Sequence, residues 1–202
     1  MKILGKKTPD PAGQGQKAPG SRALDHLKTI THHHNLVCMY CFRAGLIRQG
    51  LLHDLSKYSP TEFLVGVRYY QGKRSPNNAE REDTGVSEAW LHHKGRNKHH
   101  FEYWIDYSAD LRDQRVICGA KMPRRYVAEM IFDRVSACRV YQGDAYTDAS
   151  ALEYFMKSRE RSWFIHPVTK RQMEFLLRMW AEKGEEYTIQ YIRRVFLPGG
   201  KK

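Results

Sequence analysis

The chain has 202 residues, 41% of them hydrophobic, and a formal net charge of +12. That length suits one domain with its own core, and no apolar run approaches the roughly 18 residues that suggest a membrane span. The opening MKILGKKTPDPAGQGQKAPGS lacks the apolar stretch of a secretion signal, so a cytoplasmic protein without a membrane partner is expected.

A basic surface favours phosphorylated or polyanionic partners in general. Much of the charge lies toward the termini, at Lys2, Lys6, Lys7, Lys17, Arg193, Arg194, Lys201 and Lys202. No RNP-like, zinc-finger or glycine-loop signature accompanies it, so nucleic-acid binding has no motif behind it. The sequence is compatible with a homo-oligomer and does not specify one.

Residues 1–21 are rich in Gly, Pro, Gln and Lys without periodicity, and read as a flexible arm. Ser21 then serves as the cap of a helix running to about Gly45, in which Ile30, His33 or His34, Val37 and Cys41 recur at helical spacing. Cys38 and Cys41 form a CxxC within that pattern. No second CxxC follows, so this pair reads as core thiols; Cys118 and Cys138 are the other two cysteines. A second helix is expected over 46–57. Ser59-Pro60, with Glu62 at the third position, reads as the start of a third. Residues 71–85 are polar and turn-rich and read as a surface loop.

A helix from about Val86 carries Trp90 and Leu91 into HHKGRNKHH. The aromatic stretch FEYWIDYSADL reads as helical at its start, and 111–122 as an irregular connection. Pro123 can begin a helix to about Tyr141, with Val127, Ile131, Val135 and Cys138 as its apolar stripe. Further helices are expected over 148–164, over 169–182 (Met173, Leu176, Leu177 and Trp180 on one face) and over 185–196. With no strand pattern and no repeat, the chain reads as all-α, a single helical domain over 22–197.

Nine of the ten histidines fall between residues 26 and 100. His53-Asp54 sits in the apolar run GLLHDLSK, His33 lies beside Ile30 and Val37, and Asp133 is the acid singled out in the helix MPRRYVAEMIFDRVSACRV. Buried imidazole and carboxylate need partners, and a divalent metal satisfies both. Lys57 follows Asp54 by three residues, near the same site or as its helical ion-pair partner. His92, His93, His99 and His100 form a second cluster. Each seven-residue pair in it shares a face if the segment is one helix, while Gly95 allows a bend instead.

The order His33, then His53-Asp54, then Asp133 resembles the HD-domain superfamily of metal-dependent phosphohydrolases, in which H…HD…D runs along successive helices. LLHDLSK is similar to an HDxGK-like form, with Lys57 matching the lysine and Ser56 in place of the glycine. The whole stretch GLLHDLSKYSPTEF…AWLHHKGRNKHHFEYW…EMIFDRVSA resembles the DUF5662 family of bacterial and phage proteins over roughly residues 22–145.

The HD resemblance implies a helical bundle around a buried metal site. It implies His33, His53, Asp54 and Asp133 as ligands of a first metal, with His33 favoured over His34. It also implies that the cluster from His92 to His100 supplies the added histidines of two-metal HD proteins, His93 and His100 first with His99 as the alternate, and leaves open which of each adjacent pair binds. Such proteins include cyclic-dinucleotide phosphodiesterases and the di-iron oxygenases related to inositol oxygenase. One or two divalent ions are expected, with Mn, Fe, Co, Ni, Zn and Mg not distinguished. The implied activity is hydrolysis of a phosphate ester of a nucleotide or similar small molecule. In it Asp54 orients water, Lys57 stabilises phosphate charge and His93 binds metal or protonates the leaving group. Arg96 and Lys98 are candidate phosphate holders or solvated charges. The alternatives are a di-iron oxygenase and a non-enzymatic, metal-stabilised binding protein.

Overall fold

The computed structural model describes residues 19–109, 116–159 and 162–200. Residues 1–18 of the expected arm lie outside the described residues. Among the described residues, eight α-helices make an all-α bundle: α1 Pro19–Arg43, α2 Ile47–Leu52, α3 Pro60–Arg68, α4 Pro76–Thr84, α5 Glu88–Lys94, α6 Arg124–Gln142, α7 Ser150–Ser158 and α8 Pro167–Tyr191. Among the described residues no helix is long and apolar enough to cross a membrane.

Helix α1 already includes Pro19 and Gly20, ahead of the Ser21 cap that the sequence suggests. Its inward stripe is His26, Ile30, His33, Val37, Tyr40, Cys41 and Ala44, all buried, so apolar residues and two histidines share one face at helical spacing. Gly45 takes φ 82°, a left-handed turn that a side chain would oppose. The turn lets Leu46 N–H bond Cys41 O at 2.7 Å, and the chain folds back as α2.

Helix α6 is the central element. Val127, Ala128, Met130, Ile131, Phe132 and Val135 are buried along it, in one apolar core with Val37, Tyr40, Phe155, Leu176, Leu177 and Trp180. Two expected helices, 169–182 and 185–196, meet in α8, which kinks at Gly184 (φ 78°, ψ 178°) and continues as a wider turn over Ile192–Phe196. Beyond the kink, Glu185 accepts from Tyr40 Oη at 2.9 Å and Arg139 Nη2 at 2.8 Å, and it also pairs with Arg43, tying α8 to α1 and α6. The helix expected over 148–164 is shorter, at Ser150–Ser158.

The structure corrects three other expectations. Residues 76–84 are helical, not loop: Pro76 opens α4, Gly85 in the left-handed region closes it, and its buried residues are Pro76, Ala79 and Glu80. That helix carries no apolar stripe, so periodicity misses it. Strands do occur. Ile105–Tyr107 (β1) pairs antiparallel with Ile117–Gly119 (β2), a ribbon of three residues per strand too short to alternate visibly. Finally, the helix expected over 46–57 breaks at His53.

Candidate metal centre

The break is what builds the site. Helix α2 ends at Leu52, and His53 turns extended (φ −56°, ψ 125°). Asp54 is the one described non-glycine residue with positive φ (φ 53°, ψ 23°). Left-handed backbone costs a typical residue roughly 1–2 kcal/mol, and Asp tolerates it better than most. The polarity of LLHDL is thereby inverted. Leu51, Leu52 and Leu55 are 54%, 52% and 48% exposed, while His53 and Asp54 are 1% and 2% exposed. His34 Nδ1 donates to the His53 carbonyl at 2.8 Å, filling an acceptor that a continued helix would have used.

Asp54 faces a different set of side chains with each oxygen. Its Oδ2 lies 3.3 Å from His53 Nε2 and 3.7 Å from His33 Nε2. His33 Nε2 in turn lies 3.0 Å from Asp133 Oδ1. Its Oδ1 lies 3.2 Å from His93 Nε2 and 3.3 Å from His99 Nε2, and His93 Nε2 is 2.9 Å from His100 Nε2. Two groups share Asp54, His33–His53–Asp54–Asp133 and Asp54–His93–His99–His100, and a third, His53–His99–Glu129, adjoins them; the ligand atoms of each lie within 4.8 Å of one another, and each group could hold a metal ion.

The second group forms by a bend. Helix α5 ends at Lys94 with His93 on its buried side, Gly95–Lys98 turn, and His99 and His100 return to the same place. Asn97 fastens the turn through its side-chain amide, which donates to His93 O at 2.8 Å and Ser56 Oγ at 2.9 Å. Every histidine and aspartate expected to bind metal is in these two groups. His34 and His92 are not, and of the two candidates for the first histidine it is His33 whose Nε2 reaches the group. Arg96 reaches the His92 carbonyl from an exposed position, and Lys98 lies over the Tyr103 ring, so neither faces the groups.

Two carboxylates that sequence reasoning assigned no role complete the centre. Glu62, expected only as a capping residue, accepts from His92 Nδ1 at 2.6 Å and His93 Nδ1 at 2.8 Å. Glu129, one turn before Asp133 on α6, lies 3.1 Å from both His53 Nδ1 and His99 Nδ1. The available signal was the i, i+4 spacing of Glu129 and Asp133 on a helix that is otherwise buried there.

The electrostatics suit a cation. Neither Asp54 oxygen, nor His99 Nε2, has a partner in hydrogen-bond geometry, although all three are buried. Lys57 Nζ makes an ion-pair contact with Asp54 Oδ2 at 2.6 Å from a side chain 28% exposed, so the pair is not the surface one that sequence left open. Burial alone would raise the Asp54 carboxyl, but His53, Lys57 and His93 outweigh it and hold it well below the usual carboxylate range. Burial works against charge on His99, yet the Asp54 and Glu129 carboxylates beside it push it up to about 10. Burial, with His99 and His93 adjacent, drives His100 well below its ordinary value. Without metal the centre therefore holds protons on some rings to balance its acids. Divalent ions displace such protons when neutral imidazoles become ligands.

Residues 22–179 match the family described as "Family of unknown function (DUF5662)". The match spans more than half of the chain, which therefore belongs to that family. No curated protein and no solved structure matches it.

Proposed function

We propose that this chain is a two-metal phosphohydrolase of HD-like architecture, its helical domain covering residues 22–197. One observation carries the reading. The two oxygens of a single buried, partner-poor carboxylate, Asp54, face two separate nitrogen-rich ligand sets. A carboxylate shared in this way suits a pair of ions clamped side by side. His33, His53, Asp54 and Asp133 would hold one ion, and Asp54, His93, His99 and His100 the other. The donor set is five imidazoles and two carboxylates, which favours Mn, Fe, Co, Ni or Zn over Mg.

When bound, such ions polarise a phosphoryl group and supply a water of lowered pKa. The chain's own residues do the rest. Asp54 carries the negative charge that holds the centre together. Lys57 brings an ammonium to the rim of the buried groups, where it can neutralise phosphate oxygens. His93 has one ring nitrogen on Glu62 and the other beside Asp54 and His100, so it is read as a ligand and not as the acid for the leaving group. Neighbouring helices keep bulk water from the centre, which strengthens each of these interactions.

The test is metal-loaded protein assayed for phosphate release from phosphomonoesters, phosphodiesters and a nucleotide panel, with Mn, Co, Ni or Fe. Metal-dependent turnover is expected. Lys57→Met should raise KM for an anionic substrate more than it lowers kcat. Full loading with no hydrolysis of any ester would overturn the reading. The nitrogen-rich second group favours one other reading, a di-iron oxygenase, and oxygen consumption by iron-loaded protein would select it.

A further inference from the structure

Glu129 lies within reach of both metal groups at once. It is 4% exposed, and its single oxygen Oε1 sits 3.1 Å from Nδ1 of His53, in the first group, and 3.1 Å from Nδ1 of His99, in the second. The two rings are close neighbours, with centroids 4.4 Å apart. A neutral imidazole has one N–H. If Nδ1 donates it to Glu129, Nε2 is left as a lone pair, and Nε2 is the atom each ring presents to Asp54. Without an acceptor at Nδ1, either ring is free to carry its proton on Nε2 and cannot then ligate through it.

We infer that Glu129 is a positioning residue that couples the two groups, so that filling one presets a ligand of the other. The inference rests on the two-metal reading above. An ion on His53 Nε2 fixes that ring with Nδ1–H toward Oε1, which holds the carboxylate where His99 needs it. The second ion then meets an oriented ring, and loading is cooperative. Glu62 provides the contrast. It fixes His93 of the second group and His92, which belongs to neither, so it serves one ion alone.

The test is titration of metal-free full-length protein with Co(II), following visible absorption and competing with a chelator of known affinity. Wild type should bind two ions cooperatively. Glu129→Leu removes the acceptor at similar volume and should weaken both ions roughly ten- to hundred-fold, the usual cost of losing a ligand's supporting partner, with cooperativity gone. Glu129→Gln keeps an acceptor oxygen and should recover part of that loss, whereas Glu62→Gln should weaken one ion only.

Loss of a single ion in Glu129→Leu, or no loss, overturns the inference. So does a third ion in wild type, because His53 Nδ1, His99 Nδ1 and Glu129 would then be ligands themselves. Should Glu129→Leu fail to fold, ¹⁵N NMR of the histidines in loaded wild type decides. His53 and His99 must both carry their proton on Nδ1, and an Nε2 proton on either ends the proposal. None of these readouts is hydrolysis. Coupled binding without turnover would keep Glu129's role and end the phosphohydrolase reading, while a wild type that binds no ion would end both.

Discussion

Trp180 and Asp54 are both closed off from solvent, at 0% and 2% exposure, and they are held there in different ways. Around Trp180 the neighbours are Tyr40 and Phe132, with ring centroids at 5.4 and 6.3 Å, the Trp indole N–H finds Tyr146 Oη at 3.2 Å, and the Arg43–Glu185–Arg139 ion pairs lie at the margin. Burial of apolar surface stabilises that region unaided. Around Asp54 the neighbours are histidines and the Lys57 ammonium, 2.6 Å from Oδ2, and charge rather than apolar contact holds it in place. Burying a charge costs several kcal/mol, and here the surrounding cationic groups offset that cost. Helix α6 belongs to both regions, with Ile131 and Phe132 in the apolar core and Glu129 and Asp133 at the polar centre. Apolar packing closes the first region, whereas the second is closed by charges that offset one another, in a geometry that could also take a cation.

The largest effect should come from Asp54→Asn. Asn keeps the size and removes the charge that faces both ligand groups. Metal content by elemental analysis should fall from two ions per chain to less than one, and any hydrolytic turnover should drop at least about hundred-fold, since the charge of a shared ligand is lost. Chelator should lower the melting temperature of wild type, because binding energy restricted to the folded state is folding energy, and it should leave the variant unchanged. A variant that retains both ions at wild-type affinity would remove Asp54 from the centre.

Trp180→Ala probes the other region. Emptying a buried aromatic site typically costs about 3–5 kcal/mol, readable by denaturant melts of metal-free protein. At temperatures where the variant is folded it should bind the same two ions with unchanged affinity. If metal affinity fell in parallel with stability, the two regions would be one cooperative unit.

How far each region was legible in the sequence follows from the same contrast. The apolar side was readable because its signal is periodic: Val127, Ile131 and Val135 on α6, and Met173, Leu176, Leu177 and Trp180 on α8, are all buried as spacing predicts. At the polar centre the family pattern brought His33, His53, Asp54 and Asp133 to notice, and the structure gathers them with His93, His99 and His100. What spacing could not convey was orientation. An apolar run around His53-Asp54 suggested a buried helix face, yet the chain breaks there and the leucines point outward, because a left-handed Asp54 is what turns adjacent side chains inward. Glu62 and Glu129 look like ordinary helix acids, and their role exists only through partners 30 and 76 residues away in the chain. Helix α4 escaped because the residues it buries include a proline and a glutamate.

The smallest effect separates the regions by pH. His26 lies on the same α1 stripe as His33, two turns earlier, and packs against Phe63 and Tyr70 at 5.3 and 5.7 Å between centroids. It also lies over Gly66, where an added Cβ would come within 2.1 Å of its Nε2. Its Nδ1 is buried without a partner. Burial, and secondarily the charge of Lys57, lower its pKa from 6.5 to about 4. Between those values the unfolded chain binds a proton that the folded chain refuses, so stability is intact above pH 6.5 and declines as pH falls toward 4. At 1.36 kcal/mol per pKa unit the full decline is about 3 kcal/mol. His26→Leu removes the titrating ring and its unsatisfied nitrogen, so the variant should lose less stability across that interval. Denaturant melts of metal-free protein at pH 7 and pH 5 would show it. Metal-free protein is essential to the comparison, because proton competition with any ion bound at the candidate ligand histidines would otherwise add a dependence of the same sign. Equal acid sensitivity in wild type and His26→Leu would assign the whole pH response to the polar centre, and leave His26 as packing alone.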